Sequence, residues 1–294
     1  MTAYTPVHLH TANKVSLFPV ANPRADRTAI VVPCYNEEKR LDLAAFSNFI
    51  RRVPGIRFVF VNDGSKDDTI AVLETLHAAH PDRVEVLSLS HNSGKAEAVR
   101  QGLQHATENG FEFVGYWDAD LATPLDAIED FLRVAHRYED TEVIYGARLQ
   151  LLGHRVNRTV SRRIISRICA RMARAAVGLP IGDTQCGAKL LRNTHSLRQA
   201  VARPFSAGWL FDVELFSRIS KDANAKHAFY EYPLPEWTEI PGSKVTGRAI
   251  RRAGFAMLRL IGERRLGLPA REVDIALPAL NILRRPLAPV EKAA

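Results

Sequence analysis

Four short apolar runs, each cut off by a polar loop, constrain this chain more than any other feature. They are Thr28-Ala-Ile-Val-Val-Pro33, Arg57-Phe-Val-Phe-Val-Asn62, Val84-Glu-Val-Leu-Ser-Leu89 and Phe113-Val-Gly-Tyr-Trp117. Their apolar residues run on rather than alternate, as in strands covered on both faces. The stretches between them read as helices, from about 38 to 52, onward from 68 to 79, and from 98 to 107. Strand and helix alternating in this way predict an α/β fold with a mostly parallel sheet and helices on both faces. Such a sheet gathers the carboxyl ends of its strands along one edge, and ligands sit there.

The loops that end the four strands are where chemistry is expected. They read Cys34-Tyr-Asn-Glu-Glu38, Asp63-Gly-Ser-Lys-Asp-Asp68, His91-Asn-Ser-Gly-Lys95 and Asp118-Ala-Asp120. Glu37, Asp63, Lys95, Asp118 and Asp120 would therefore share one edge. Asp118 and Asp120 alone would repel each other. A hard divalent cation, Mg²⁺ or Mn²⁺, with a nucleotide diphosphate would reconcile them, because it takes oxygen ligands and leaves places for phosphate oxygens. The plain alternative is a strand-end turn, where Asp is common. Thr123 and Pro124 follow in the pattern of an N-cap and first helical residue.

The character of the chain then changes. A helix over 126–138 and a strand over 141–146 precede eight arginines between Arg148 and Arg174, with no acid from Glu142 to Asp183. Val156, Val160, Ile164, Ile168 and Met172 recur every four residues, which predicts an amphipathic basic helix. A short strand is expected over 188–191, and a helix beginning within 208–219 with Asp212 and Glu214 near its start. A second basic amphipathic helix is predicted over 246–265, and the tail from Leu268 reads as irregular. A solvated basic face is the ordinary reading of such runs. The missing acids and the net charge of +8 favour an anionic partner, and an apolar stripe beside arginines suits a phospholipid surface. Cys34, Cys169 and Cys186 have no metal-type spacing, and His91, His154 and His195 have no ligand-type spacing. No run of eighteen apolar residues occurs. The expectation is a cytoplasmic protein, peripheral on the membrane face.

The motifs in their order resemble the inverting family 2 glycosyltransferases of GT-A (Rossmann-like) fold. Val-Val-Pro-Cys-Tyr-Asn-Glu-Glu, Val-Asn-Asp-Gly-Ser-Lys-Asp-Asp-Thr, Asn-Ser-Gly-Lys and Asp-Ala-Asp carry the likeness. Asp183-Thr-Gln-Cys-Gly-Ala-Lys-Leu, Trp209-Leu-Phe-Asp-Val-Glu-Leu and Trp237-Thr-Glu-Ile-Pro-Gly-Ser-Lys244 narrow it to the dolichyl-phosphate β-glucosyltransferase branch. The resemblance spans about 28–250. With residues 1–25, which have weak periodicity and three prolines, read as an irregular arm, the expected division is that arm, a GT-A domain over 26–244 and the basic helix with irregular tail over 245–294. Two departures stand out. Ala96 follows Lys95 where relatives carry Gly, and the membrane anchors of many relatives have no counterpart, which leaves the two basic helices to reach a lipid.

The resemblance also implies roles. Pro33, Tyr35, Glu37 and Asp63 would shape the uridine pocket, Lys95 would reach the donor phosphates, and Asp118 and Asp120 would hold Mg²⁺ or Mn²⁺. Ser243 and Lys244 would close over the pyrophosphate. Arg148, Arg158, Ser161 and Arg162 would meet the acceptor phosphate, with Asp183 and Gln185 lining the sugar and acceptor side. Asp118, Asp120, Arg148 and Lys244 form the implied catalytic set. The implied reaction moves a hexose, in the first instance glucose from UDP-glucose, to a polyprenyl or dolichyl phosphate. A phosphate acceptor is already ionised and needs no strong base; a hydroxyl acceptor would need one, with Asp183 or Asp212 as candidates. Alternatives are a water-soluble acceptor, GDP-mannose as donor, or a non-catalytic nucleic-acid binder. The last is disfavoured by basic helices without interleaved aromatics, so no nucleic-acid partner is expected. The sequence leaves the oligomeric state open.

Overall fold

A computed structural model describes residues 27–156, 160–221, 225–238, 247–268 and 278–282. The chain begins with strand β1 (Thr28–Cys34), helix α1 (Leu43–Arg52), β2 (Ile56–Asn62), α2 (Thr69–Ala79), β3 (Val84–Leu89), α3 (Lys95–Glu108) and β4 (Phe113–Trp117). It continues with α4 (Ala127–Arg137), β5 (Val143–Ala147), β6 (Arg155–Val156), α5 (Val160–Val177), β7 (Ala188–Arg192), α6 (His195–Ala202) and α7 (Phe211–Ile219). Last come α8 (Ala225–Ala228), β8 (Phe229–Pro233), β9 (Glu236–Trp237), α9 (Gly247–Leu266) and β10 (Leu280–Ile282).

The main sheet has the order β10-β3-β2-β1-β4-β7-β5-β8. β1 pairs in parallel with both β2 and β4, β2 with β3, and β5 with β8. β7 runs antiparallel between β4 and β5, and β10 antiparallel at the β3 edge. The expected mostly parallel α/β sheet is therefore present. Its apolar runs are buried on both faces, which is why they do not alternate. In β1, Val31 belongs to the core beneath α3, α5, α6, α7 and α9, whereas Ile30 and Val32 face α1, α2 and α4. On that second face Phe46 meets Phe58 and Phe60 edge-on, with ring centres 5.6 and 5.1 Å apart. Such pairs add about 0.5–1.5 kcal/mol each beyond their burial.

The strand order creates the site. The chain lays β2 and β3 on one side of β1, then crosses over to place β4 on the other. Loops leaving β1 and β4 diverge at this switch point and open a crevice. The β1–β4 ladder ends at Val31 and Tyr116, while the β1–β2 ladder continues to Cys34 and Asn62. Pro33 lies beyond the last β4 pairing, where its missing N–H leaves no ladder bond unmade.

Several boundaries differ from the sequence reading. α1 starts at Leu43, because Asp42 accepts the Ala45 N–H at 2.9 Å and caps it there. α3 starts earlier, so Lys95 is its first residue. Thr123 is not an N-cap. Its carbonyl accepts Trp117 Nε1 at 3.0 Å, and α4 opens only after Asp126. The tail is not wholly irregular, since β10 extends the sheet. Residues 195–202 form a helix absent from the sequence reading, capped by Thr194, whose Oγ1 accepts the Leu197 N–H. α9 packs against α5 and α7 and places Ala253, Met257 and Leu260 in the core. No helix among the described residues is long and apolar enough to cross a membrane.

Candidate active site

A cavity of ≈ 300 Å³ opens at the switch point, lined by Pro33, Tyr35, Glu37, Asp63, Lys95, Asp118 and Asp120 among others. All five charged residues expected at the strand ends are thus brought together. The loops that carry them are tied to one another. The Asn36 N–H donates to Ser65 Oγ at 3.0 Å, and Asn36 Oδ1 accepts the Lys66 N–H at 2.9 Å. Asn36 takes a positive φ of 53° to do this, a conformation Asn tolerates better than most residues. The Glu37 N–H donates to Thr69 Oγ1 at 2.8 Å, which fixes the β1 loop to the start of α2.

Asp63 performs a similar service one strand over. It is buried, and its two carboxylate oxygens accept the backbone N–H groups of Ser93 and Gly94 at 2.7 and 2.8 Å. Burial raises its pKa, and these two amides oppose the rise. Asp63 therefore holds the turn that delivers Lys95 into the cavity. Lys95 pairs with Asp118. Desolvation would lower the lysine pKa, yet the carboxylates of Asp118, Asp212 and Asp120 together hold it above its usual value.

Glu37 and Asp120 are both raised, first by burial; their mutual repulsion and that with Asp118 add to the rise, against Arg40. Arg40 lies 3.6 Å from Glu37 and 3.8 Å from Asp120. Glu37 Oε2 is buried with no hydrogen-bond donor. Crowded carboxylate oxygens of this kind suit a hard divalent cation, which would relieve the repulsion that burial imposes. Among the described residues no group of three His, Cys, Asp or Glu is placed to hold a metal alone. Asp118 and Asp120 fit a cation that takes its remaining oxygens from a diphosphate.

One residue of this site escaped the sequence reading. The Asp118 N–H donates to Gly187 O at 2.9 Å, and the Asp118 carboxylate lies directly over the Gly187 α-carbon. A Cβ at 187 would stand 1.9 Å from Asp118 Oδ2. Gly187 lies in the Asp183–Gly187 motif, but its partner is 69 positions earlier and nothing local reveals it.

On the acceptor side Arg148 and Asp183 are joined directly. Arg148 Nε and Nη2 donate to the two Asp183 oxygens at 2.7 and 2.8 Å, and the Arg148 N–H adds a third bond. The guanidinium also lies 5.2 Å from the Trp237 ring centre. Glu231 supports the pair from below, accepting the Gly182 and Asp183 N–H groups at 3.0 and 2.7 Å. Gln185 follows on the same turn, its N–H 3.3 Å from Asp183 Oδ1. Ser161 and Arg162 fall in the first turn of α5. Arg158, Ser243 and Lys244 lie outside the described residues.

Asp212 is buried and accepts the Tyr116 hydroxyl, with Lys189 Nζ 3.0 Å away. It is committed to the core rather than presented as a free base. Glu214 accepts the Ser206 and Ala207 N–H groups at 2.8 and 2.7 Å, closing the turn before α7. Cys186 is buried and burial raises its thiol pKa, as befits a passive cysteine. His154 meets the Leu234 carbonyl at 2.9 Å, a structural contact.

Comparison with known proteins gives the family and the fold. The family model described as glycosyl transferase family 2 matches residues 29–198. A dolichyl-phosphate beta-glucosyltransferase of Drosophila melanogaster is 31% identical over 251 residues, 81% of this chain and 74% of that protein. The polyprenol monophosphomannose synthase of Mycolicibacterium smegmatis is 26% identical, covering 78% of this chain and 84% of its own. Among solved structures, glucosyl-3-phosphoglycerate synthase from Mycobacterium tuberculosis bound to UDP superposes with a TM-score of 0.58. That match covers 81% of this chain and 83% of the synthase at 18% identity. The same synthase bound to Mn²⁺, UDP-glucose and phosphoglyceric acid gives 0.57 over 84% and 83%. At 18% identity these likenesses show the shared fold.

Proposed function

The chain belongs to glycosyl transferase family 2, and on that premise we propose that it transfers glucose, with inversion, from UDP-glucose to a polyprenyl phosphate at an anionic membrane surface. The observation that carries this reading is the convergence of four strand-end loops on one acidic cavity at the switch point of the sheet. The likeness to dolichyl-phosphate beta-glucosyltransferases supports the choice of sugar and acceptor.

In this reading Pro33, Tyr35, Glu37 and Asp63 receive the uridine. Asp118 and Asp120 would hold Mg²⁺ or Mn²⁺, which would supply positive charge beside the diphosphate. Lys95, already set on Asp118, adds a second cation beside the same phosphates, and Ser243 and Lys244 close over them. The acceptor phosphate oxygen attacks C1 of the sugar, the C1–O bond to UDP breaks, and UDP leaves with the bonding electrons. The acceptor is ionised at neutral pH, so no residue needs to remove a proton from it. Its requirement is a cation held at fixed orientation. Arg148, locked by Asp183 and Trp237, meets that requirement, and Arg158, Ser161, Arg162 and Gln185 are the further acceptor contacts in this reading. Asp183 spreads the guanidinium charge and limits how tightly it grips the phosphate. The basic helices α5 and α9 face the lipid surface in this reading, where each arginine near acidic headgroups contributes about 1 kcal/mol.

The test is radiolabelled UDP-glucose with polyprenyl phosphate and Mn²⁺ or Mg²⁺, followed by extraction into organic solvent. Label is expected in the organic phase, and Asp120→Ala is expected to abolish its appearance. Label that stays in water with a soluble phosphorylated acceptor sinks the lipid assignment. A parallel arm with GDP-mannose tests the mannosyl alternative, which the mycobacterial relative supports.

A further inference from the structure

Behind the cavity floor three elements meet in a cluster that the reaction above leaves unused. Lys189 of β7 is fully buried, which is rare for a lysine without a partner. Its Nζ donates to Cys186 O at 2.6 Å and lies 3.0 Å from Asp212 Oδ1. The same Asp212 oxygen accepts the Tyr116 hydroxyl. The ammonium also sits 4.9 Å from the Tyr116 ring centre and 5.6 Å from that of Phe216, where the ring faces favour a cation. Burial pushes the lysine down to about 7 and the aspartate well up, a cost that apolar side chains of similar volume would avoid. A pair of this kind offers geometry rather than stability.

The geometry leads to the site. Tyr116 and Lys189 are cross-strand partners, and Asp212 comes from the first turn of α7. Two residues past Tyr116 is Asp118, and two before Lys189 is Gly187. Those two residues make the close contact described above, N–H to carbonyl and carboxylate over the bare α-carbon. Asp118 carries Lys95, and Asp212 is the next carboxylate after Asp118 in its influence on that lysine.

We propose that Lys189 and Asp212 are positioning residues: with Tyr116 they clamp the tips of β4 and β7 to the start of α7, and so hold Asp118 against Gly187 and Lys95 against Asp118. The inference rests on the donor-side roles proposed for Asp118 and Lys95. None of the three clamp residues touches the substrate in this scheme.

The test uses the whole chain carrying Lys189→Met together with Asp212→Leu, which leaves no lone buried charge. Such a variant is expected to keep a Tm close to that of the parent. Its Kd for UDP with Mn²⁺, measured by calorimetry, is expected to rise about tenfold, and kcat to fall more than the acceptor KM rises. Tyr116→Phe removes only the hydroxyl and is expected to raise the same Kd about threefold, since one hydrogen bond is lost. A merely structural pair would shift Tm and leave the Kd alone. A folded double variant with parental Kd and kcat overturns the proposal. Should the double variant fail to fold, Tyr116→Phe decides, and a parental Kd overturns it. A parent chain that binds UDP with Mn²⁺ but never glucosylates polyprenyl phosphate sinks the acceptor assignment and leaves this inference standing. A parent chain that does not bind UDP overturns both.

Discussion

Gly187→Ala isolates the placement of Asp118 with the smallest change available. The added methyl would lie 1.9 Å from Oδ2 and 2.1 Å from Cγ of Asp118, whereas ordinary contact begins near 3.4 Å. The carboxylate must therefore retreat by about 1.5 Å, because the methyl is fixed to a strand-end backbone and cannot yield. The Asp118 side chain is 31% exposed and has room to rotate toward solvent. The cost in stability should then sit near the low end for overpacking, about 1 kcal/mol. The cost in function should be larger. A displacement of ~1 Å at a reacting centre can cost about 10²-fold in rate, or roughly 2.7 kcal/mol. The measurements are urea unfolding for stability, calorimetric titration of UDP with Mn²⁺ for the donor site, and label transfer for rate. The expected outcome is near-parental unfolding with a hundredfold slower transfer. Transfer within threefold of the parent would refute the reasoning, since it would mean that Asp118 works equally well from a different position.

Three further outcomes follow from the same geometry. Glu37 and Asp120 have raised pKa values, so the folded chain keeps protons above pH ~4 that the unfolded chain releases. Their contribution to stability is complete below that pH and fades as pH rises through the folded values. A cation that replaces those protons should therefore raise Tm more at pH 7.5 than at pH 5, and equal Mn²⁺-induced shifts at the two pH values would contradict this. Asp63→Asn puts an amide where two backbone N–H groups need acceptors, and should cost about 2 kcal/mol in urea unfolding. Arg148→Ala leaves Asp183 buried without its bidentate partner and should destabilise by about 3 kcal/mol. Adding Asp183→Asn to Arg148→Ala should recover part of that loss but not acceptor turnover.

The strand-end loops were legible because each is announced locally. An apolar run must stop where its burial stops, and a parallel sheet turns that stop into a shared edge. Glu37, Asp63, Lys95, Asp118 and Asp120 could thus be assigned to one edge before any coordinate was known, and the cavity gathers all five. Helix starts were less legible. Thr123 and Pro124 have the composition of a cap, yet Trp117 Nε1 takes the Thr123 carbonyl and the chain turns once more before α4. The helix at 195–202 is short, and its capping bond from Thr194 became visible only in the fold.

The sequence by itself determined the α/β class, the edge on which the charged residues lie and, through the order of its motifs, the family. The class and the edge are properties of periodicity and spacing, which are local; the family rests on the resemblance that the motifs carry. Which charge meets which was decided by tertiary structure alone. Arg148 and Asp183 stand 35 positions apart with nothing local to join them, and prove to be one bidentate pair. Lys189 stands in the Asp183–Leu190 motif without an assigned role and proves to be a buried cation between Asp212 and Tyr116. Gly187 stands in the same motif without an assigned role and proves to be the bare surface on which Asp118 rests. Each depends on β7 running antiparallel between β4 and β5. The β4–β7 pairing joins segments more than seventy residues apart and the β5–β7 pairing segments more than forty apart, and no local pattern of side chains encodes either register.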